Sequence, residues 1–200
     1  MSETAVETLN RQQEADAKAT FGFWVYLMTD CVLFASLFAT FAVLRDSTYG
    51  GPGGTDLFSM PFVLIETLVL LASSYTVGLA VLAARRHAKR QMLIFLGITF
   101  LLGLFFLTME LSEFHHLAVE GNSWRRSAFL SSFFTLVGTH GLHITVGLLW
   151  MAVFSFRAFK GKLGRKALRQ LTMLSMFWHF LDIIWIFIFT VVYLMGRAAL

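Results

Sequence analysis

A single cysteine, Cys31, in a chain of 200 residues excludes any intrachain disulfide. Set inside an apolar stretch, it reads as a small buried hydrophobe. Charge is also scarce. Asp, Glu, Lys and Arg together make up 14% of the chain, against 57% hydrophobic residues, and Phe alone occurs 22 times. Such a composition excludes a soluble domain of this length and fits an integral membrane protein. The net charge of +4 is no nucleic-acid signature, because the basic residues fall between apolar runs. A CxxC motif, a phosphate-cradling glycine loop and a nucleophile–base pair are all missing, which argues against a self-sufficient active site. No basic leader runs into a short apolar segment with an Ala-x-Ala site, so no cleaved signal peptide is predicted. No internal repeat stands out, and five spans do not divide into two equal halves as an inverted-repeat transporter would.

What the chain does contain is five apolar runs, about 21–44, 61–84, 92–117, 128–156 and 171–195. Each exceeds the roughly 20 residues a helix needs to cross a bilayer. The expected fold is all-α: a five-helix transmembrane bundle over 21–200, preceded by a polar tail, 1–20, read as mobile or as a short surface helix. The first run serves as an uncleaved insertion signal. The segment 45–60 holds Gly50, Gly51, Pro52, Gly53 and Gly54, which cannot continue a helix and so form a loop. Pro61 then opens the second run in the favoured first turn.

Lysine and arginine give the orientation. The tail carries Arg11 and Lys18. The 85–91 loop carries Arg85, Arg86, Lys89 and Arg90. The 157–170 segment carries Arg157, Lys160, Lys162, Arg165, Lys166 and Arg169. With five spans these share one side, and only Arg45, Arg125, Arg126 and Arg197 remain for the other. That bias predicts a cytoplasmic N-terminus and a periplasmic C-terminus.

Ionisable residues inside lipid-length helices survive only when they face protein and find partners. At about 1.5 Å per residue, Asp30, His140, His143, His179 and Asp182 reach one central layer. Glu66 and Glu110 lie nearer the outer face, with Glu113, His115 and His116 at the outer boundary. His179 and Asp182 share a helix face, and Trp178, Asp182, Trp185 and Phe189 form one stripe. Further stripes align Thr67, Leu71, Ser74 and Gly78; Thr99, Gly103, Phe106, Glu110 and Glu113; and Leu136, His140, His143 and Gly147, with Thr135 and Thr139 close by. Small residues at this spacing let helices approach, and hydroxyls bond across the gap. Asp30, Glu66, Glu110, Glu113, His140, His143, His179 and Asp182 are therefore read as a buried polar packing network. Rival readings of the same residues are haem ligation by His140 or His143 with His179, and a proton relay through Asp30, Glu66 and Asp182. Glu110-x-x-Glu113-x-x-His116 has one Glu-x-x-His step where di-iron bundles need two, so an interfacial hydrogen-bonded cluster is expected there. The Trp178/Trp185 stripe reads as packing.

Four stretches in order carry a resemblance. They are Phe21-Gly22-Phe23-Trp24-Val25-Tyr26-Leu27-Met28-Thr29-Asp30, Glu110-Leu111-Ser112-Glu113-Phe114-His115-His116, Gly138-Thr139-His140-Gly141-Leu142-His143 and Trp178-His179-Phe180-Leu181-Asp182. From about residue 21 onward the chain resembles subunit III of the haem–copper terminal oxidases, in particular the cytochrome bo-type ubiquinol oxidase branch. Many relatives from cytochrome c oxidases have seven helices and Glu where Asp30 stands. The resemblance implies a bacterial inner-membrane complex that oxidises ubiquinol, reduces oxygen to water and pumps protons. It implies a subunit without catalytic residues, metal or cofactor of its own, with haem and copper in subunit I. Subunits I, II and a small subunit IV are the implied partners, and phospholipid the implied ligand. Its implied role is to support assembly, stability during turnover and proton uptake.

Overall fold

The computed structural model describes residues 3–50, 60–161 and 164–195, and every regular element among them is helical. The elements are α1 (Glu3–Leu44), α2 (Met60–Arg85), α3 (Lys89–Val119), α4 (Ala128–Lys160) and α5 (Arg165–Ile188), the last continuing as a wider π-helical turn, Phe189–Leu194. Each contains a stretch long and apolar enough to cross a membrane, giving five spans.

The first helix departs from expectation. Residues 3–20 are not set apart as a tail but run unbroken into the first span, making a helix of 42 residues. No proline or glycine cluster separates the two parts, and Arg11 bonds Glu7 one turn back at 2.7 Å. Deeper in the same helix Cys31 is half-buried, less enclosed than its apolar neighbourhood predicts. The glycine-rich segment lies outside the described residues at positions 51–59. The described part of that loop turns through left-handed backbone at Tyr49 and Gly50. Helix α4 begins on a conventional cap, the Ser127 hydroxyl accepting from the Leu130 amide at 3.1 Å.

Helices α2 to α5 pack as a four-helix group in which α2 meets α3 and α5, and α4 meets α3 and α5. Helix α1 lies along the α4–α5 edge. Two ties fix the ends. Lys89 Nζ, in the first turn of α3, donates to the carbonyls of Phe159 and Gly161 at 3.0 and 2.8 Å. Arg169 pairs with Asp16. The N-terminal part of α1, the α2–α3 turn and the α4–α5 connection therefore share one end of the bundle. At the opposite end the Phe129 amide bonds the Ser47 carbonyl, joining the first turn of α4 to the α1–α2 connection.

The core is built around Trp178. Its indole fits against two backbones at once: a Cβ on Gly103 would lie 2.7 Å from Trp178 Cη2, and one on Gly147 would lie 3.0 Å from Cζ3. Its Nε1 donates to Ser73 Oγ on α2 at 2.9 Å. One side chain thus touches three other helices, and the two glycines leave the space it fills. Outward faces carry large apolar residues such as Leu101 and Leu149, which suits lipid contact.

Candidate functional site

The deep polar residues do not meet in one layer. Apart from His140, they divide into three groups, each joining a different set of helices.

The first joins α1 to α4. Asp30 Oδ2 stands 3.7 Å from His143 Nε2. The other ring nitrogen, Nδ1, lies 2.7 Å from the Thr139 carbonyl. A carbonyl only accepts, so Nδ1 carries the proton and the ring is oriented by its own helix. Phe34 and Phe177 flank the imidazole at centroid distances of 5.2 and 6.5 Å. Thr139 and Thr135 do not bond across the gap as expected. Both hydroxyls donate to carbonyls one turn back, to Thr135 and Ser131 respectively, the usual outlet for a helical threonine.

The second group joins α5 to α2. His179 Nδ1 lies 2.7 Å from Ser74 Oγ and 3.7 Å from Asp182 Oδ2. The pair predicted within one helix face is present, but it meets α2 rather than the other residues of the expected central layer. Nearby, Trp185 Nε1 donates to Thr67 Oγ1 at 3.1 Å. The tryptophan stripe is therefore packing with a polar anchor, each indole N–H ending on an α2 hydroxyl. The α2 stripe is displaced from the predicted one. Leu71 faces outward, and the buried face runs through Val63, Glu66, Thr67, Leu70, Ser73 and Val77. The α3 stripe Thr99, Gly103, Phe106 and Glu110 is buried as predicted. Its Thr99 hydroxyl bonds Thr76 on α2 at 2.8 Å.

The third group sits toward the other end. Tyr193, carried inward on the π-helical turn, donates to Glu113 Oε2 at 3.0 Å. Glu66 and Glu110 are fully enclosed and interact electrostatically with each other and with Glu113. Gly141 makes room for the Glu110 carboxyl; a Cβ there would stand 2.5 Å from Oε1. His116, expected to join this group, instead pairs with Glu120 one turn on at 3.3 Å, on the exposed side of the helix.

His140 belongs to none of these. It is completely enclosed, stacked on Trp185 at 5.3 Å and met edge-on by Phe106 at 6.0 Å. No described residue bonds either ring nitrogen. A haem held by His140 or His143 with His179 finds no support in this arrangement. His140 is walled in by aromatics, His143 faces α1 and His179 faces α2, so no two imidazoles address a common space. Among the described residues no group of three or more His, Cys, Asp or Glu is placed to hold a metal ion.

Several contributors were not singled out from the sequence. Ser73 escaped because the α2 stripe was phased one residue off. Tyr193 and Gly141 carry no spacing signal: their partners lie 80 and 31 positions away in sequence, and nothing local announces them. The presence of small residues at helical spacing was the one available sign of Gly103 and Gly147.

The polar contacts among the described residues tie the helices together. The family model described as cytochrome c oxidase subunit III matches residues 10–197. Cytochrome bo(3) ubiquinol oxidase subunit 3 of Pseudomonas aeruginosa is 58% identical over 92% of this chain and 88% of its own length. The protein of the same name from Pseudomonas putida is 55% identical over 88% of this chain and 84% of its own. Cytochrome c oxidase subunit 3 of Bacillus sp. strain PS3 is 44% identical over 98% and 96%. With its five spans and its interhelical polar pairs, the chain belongs to the cytochrome c oxidase subunit III family.

Proposed function

We propose that this chain is subunit III of a ubiquinol-oxidising, proton-pumping terminal oxidase, a non-catalytic member that stabilises the complex. The observation that carries the reading is the identity of 58% and 55% to the two Pseudomonas ubiquinol oxidase subunits, against 44% to the cytochrome c oxidase subunit of Bacillus sp. strain PS3. The geometry supports the non-catalytic part. Asp30, Glu66, Glu110, His140 and Asp182 are closed in by protein, and the pairs Asp30–His143, Ser74–His179 and Tyr193–Glu113 each join two segments of the bundle. Haem and copper belong to the partner subunit I, with subunit II and a small subunit IV completing the assembly in the bacterial inner membrane. Phospholipid lies against its outward apolar faces.

The orientation places the N-terminus in the cytoplasm. The ties Lys89–Phe159 and Arg169–Asp16 support this, because they gather the basic segments at one end of the bundle. Purification from native membranes through a tag on this chain tests the whole reading. The expected result is co-purification with a haem-bearing subunit and quinol oxidation by the assembly. A solitary, coloured chain that turns over alone would overturn it, and an assembly that oxidises cytochrome c but not ubiquinol would move the chain to the other branch.

A further inference from the structure

The groove between α2 and α5 opens sideways to the membrane and is lined by Gly78, Val81, Leu82, Arg85, Ser175 and His179, enclosing about 300 Å³. Three features set it apart from the aliphatic faces around it. His179 exposes 45% of its side chain there. Its Nδ1 is engaged by Ser74, and no described residue meets its Nε2. A ring nitrogen left to hydrocarbon is costly, so a polar group must reach it from outside the chain.

Depth decides which kind of group. Ser74, which holds the imidazole, lies 11 residues from Arg85 at the basic end of α2, about 16 Å along the axis. That is about half the thickness of the hydrocarbon core. Phospholipid headgroups and ester carbonyls stay near the surface and do not reach this level. A side chain on a neighbouring helix does. The floor of the groove favours the same occupant. A Cβ on Gly78 would meet nothing within 4 Å. Glycine inside a helix weakens it, and no packing within this chain calls for one here. With Ser175 opposite, the floor lets another backbone come close. At the mouth, the exposed Arg85 matches a carboxylate or the carbonyl end of a helix.

We propose that a transmembrane helix of a partner chain lies in this groove, close against Gly78 and Ser175, and meets His179 Nε2 with a hydrogen-bonding side chain at mid-membrane. The inference rests on the reading of the chain as one subunit of a complex. It adds which face docks and the chemistry that docks there.

The test uses the intact complex with a photoreactive benzophenone residue in place of Val81. Illumination is expected to join the chain to a transmembrane segment of one partner subunit, identified by peptide mass spectrometry. Gly78→Leu should abolish that adduct while leaving the fold of the chain intact, since the added side chain enters open space. His179→Gln should keep the adduct and His179→Phe lose it. If partners co-purify but the probe at 81 labels only phospholipid or a quinone, the groove does not seat a helix and the inference fails while the subunit reading stands. If Gly78→Leu leaves the adduct unchanged, the inference fails as well. If no partner co-purifies, both fail together.

Discussion

The sharpest test of the packing scheme is Gly103→Ala. A Cβ at this position would lie 2.7 and 2.8 Å from two ring carbons of Trp178 and 3.0 Å from Leu148 Cδ2. Carbon atoms pack comfortably at about 3.5–4.0 Å, so the indole would have to retreat by close to 1 Å. It has nowhere to go. Its far edge rests on the α4 backbone at Gly147, and its Nε1 is held by Ser73. Overpacking of this kind costs about 1–3 kcal/mol. Replacing a helical glycine by alanine returns about 1 kcal/mol. The net expectation is a loss of about 1 kcal/mol.

Gly97 on the same helix gives the control, because a Cβ there meets nothing within 4 Å. Gly97→Ala should therefore gain about 1 kcal/mol, which puts the two variants about 2 kcal/mol apart. Unfolding by SDS titrated into mild-detergent micelles, followed by tryptophan fluorescence, resolves a difference of that size. Repeating Gly103→Ala in a Trp178→Phe background should shrink its cost to less than about 0.5 kcal/mol, since the nearer of its two clash partners is gone and only the flexible Leu148 methyl remains. If Gly103→Ala stabilises the protein as much as Gly97→Ala does, the wedge of Trp178 between α3 and α4 is wrong.

Other changes probe the polar ties. Thr67→Val keeps the shape but removes the acceptor for Trp185 Nε1, and should cost about 1–3 kcal/mol in the same unfolding assay. Tyr193→Phe strips the donor from the half-buried Glu113 carboxyl and should cost a similar amount, about 1–3 kcal/mol, with Phe filling the ring's space. Asp182→Ala leaves His179 without its helix-mate. It should lower the yield of assembled complex while quinol oxidation per haem stays near normal, and a large drop per haem with assembly intact would favour a direct proton role instead. Lys89→Met removes two bonds at the exposed end of the bundle and should change stability by less than about 0.5 kcal/mol.

Sequence by itself determined the number of spans and the content of the interior. Run length against bilayer thickness points to five spans, and the cost of a buried charge marks Asp30, Glu66, Glu110, Glu113, His140, His143, His179 and Asp182 as inward-facing; Asp30, Glu66, Glu110, His140 and Asp182 are buried, whereas Glu113, His143 and His179 are only half-buried. The grouping of basic segments at one end was equally legible, because each span crosses back and returns every second connection to the side of the N-terminal segment. Tertiary structure alone decided who meets whom. Residues along a helix turn by about 100° each, so a phase error of one position exchanges Ser73 for Ser74 on the buried face. The rotation of every helix about its own axis is set by packing shapes, here by Trp178 seated on Gly103 and Gly147. That is why Asp30 found His143, and why His179 turned toward α2 and the groove beside it, although matched depth alone put all of them in one layer.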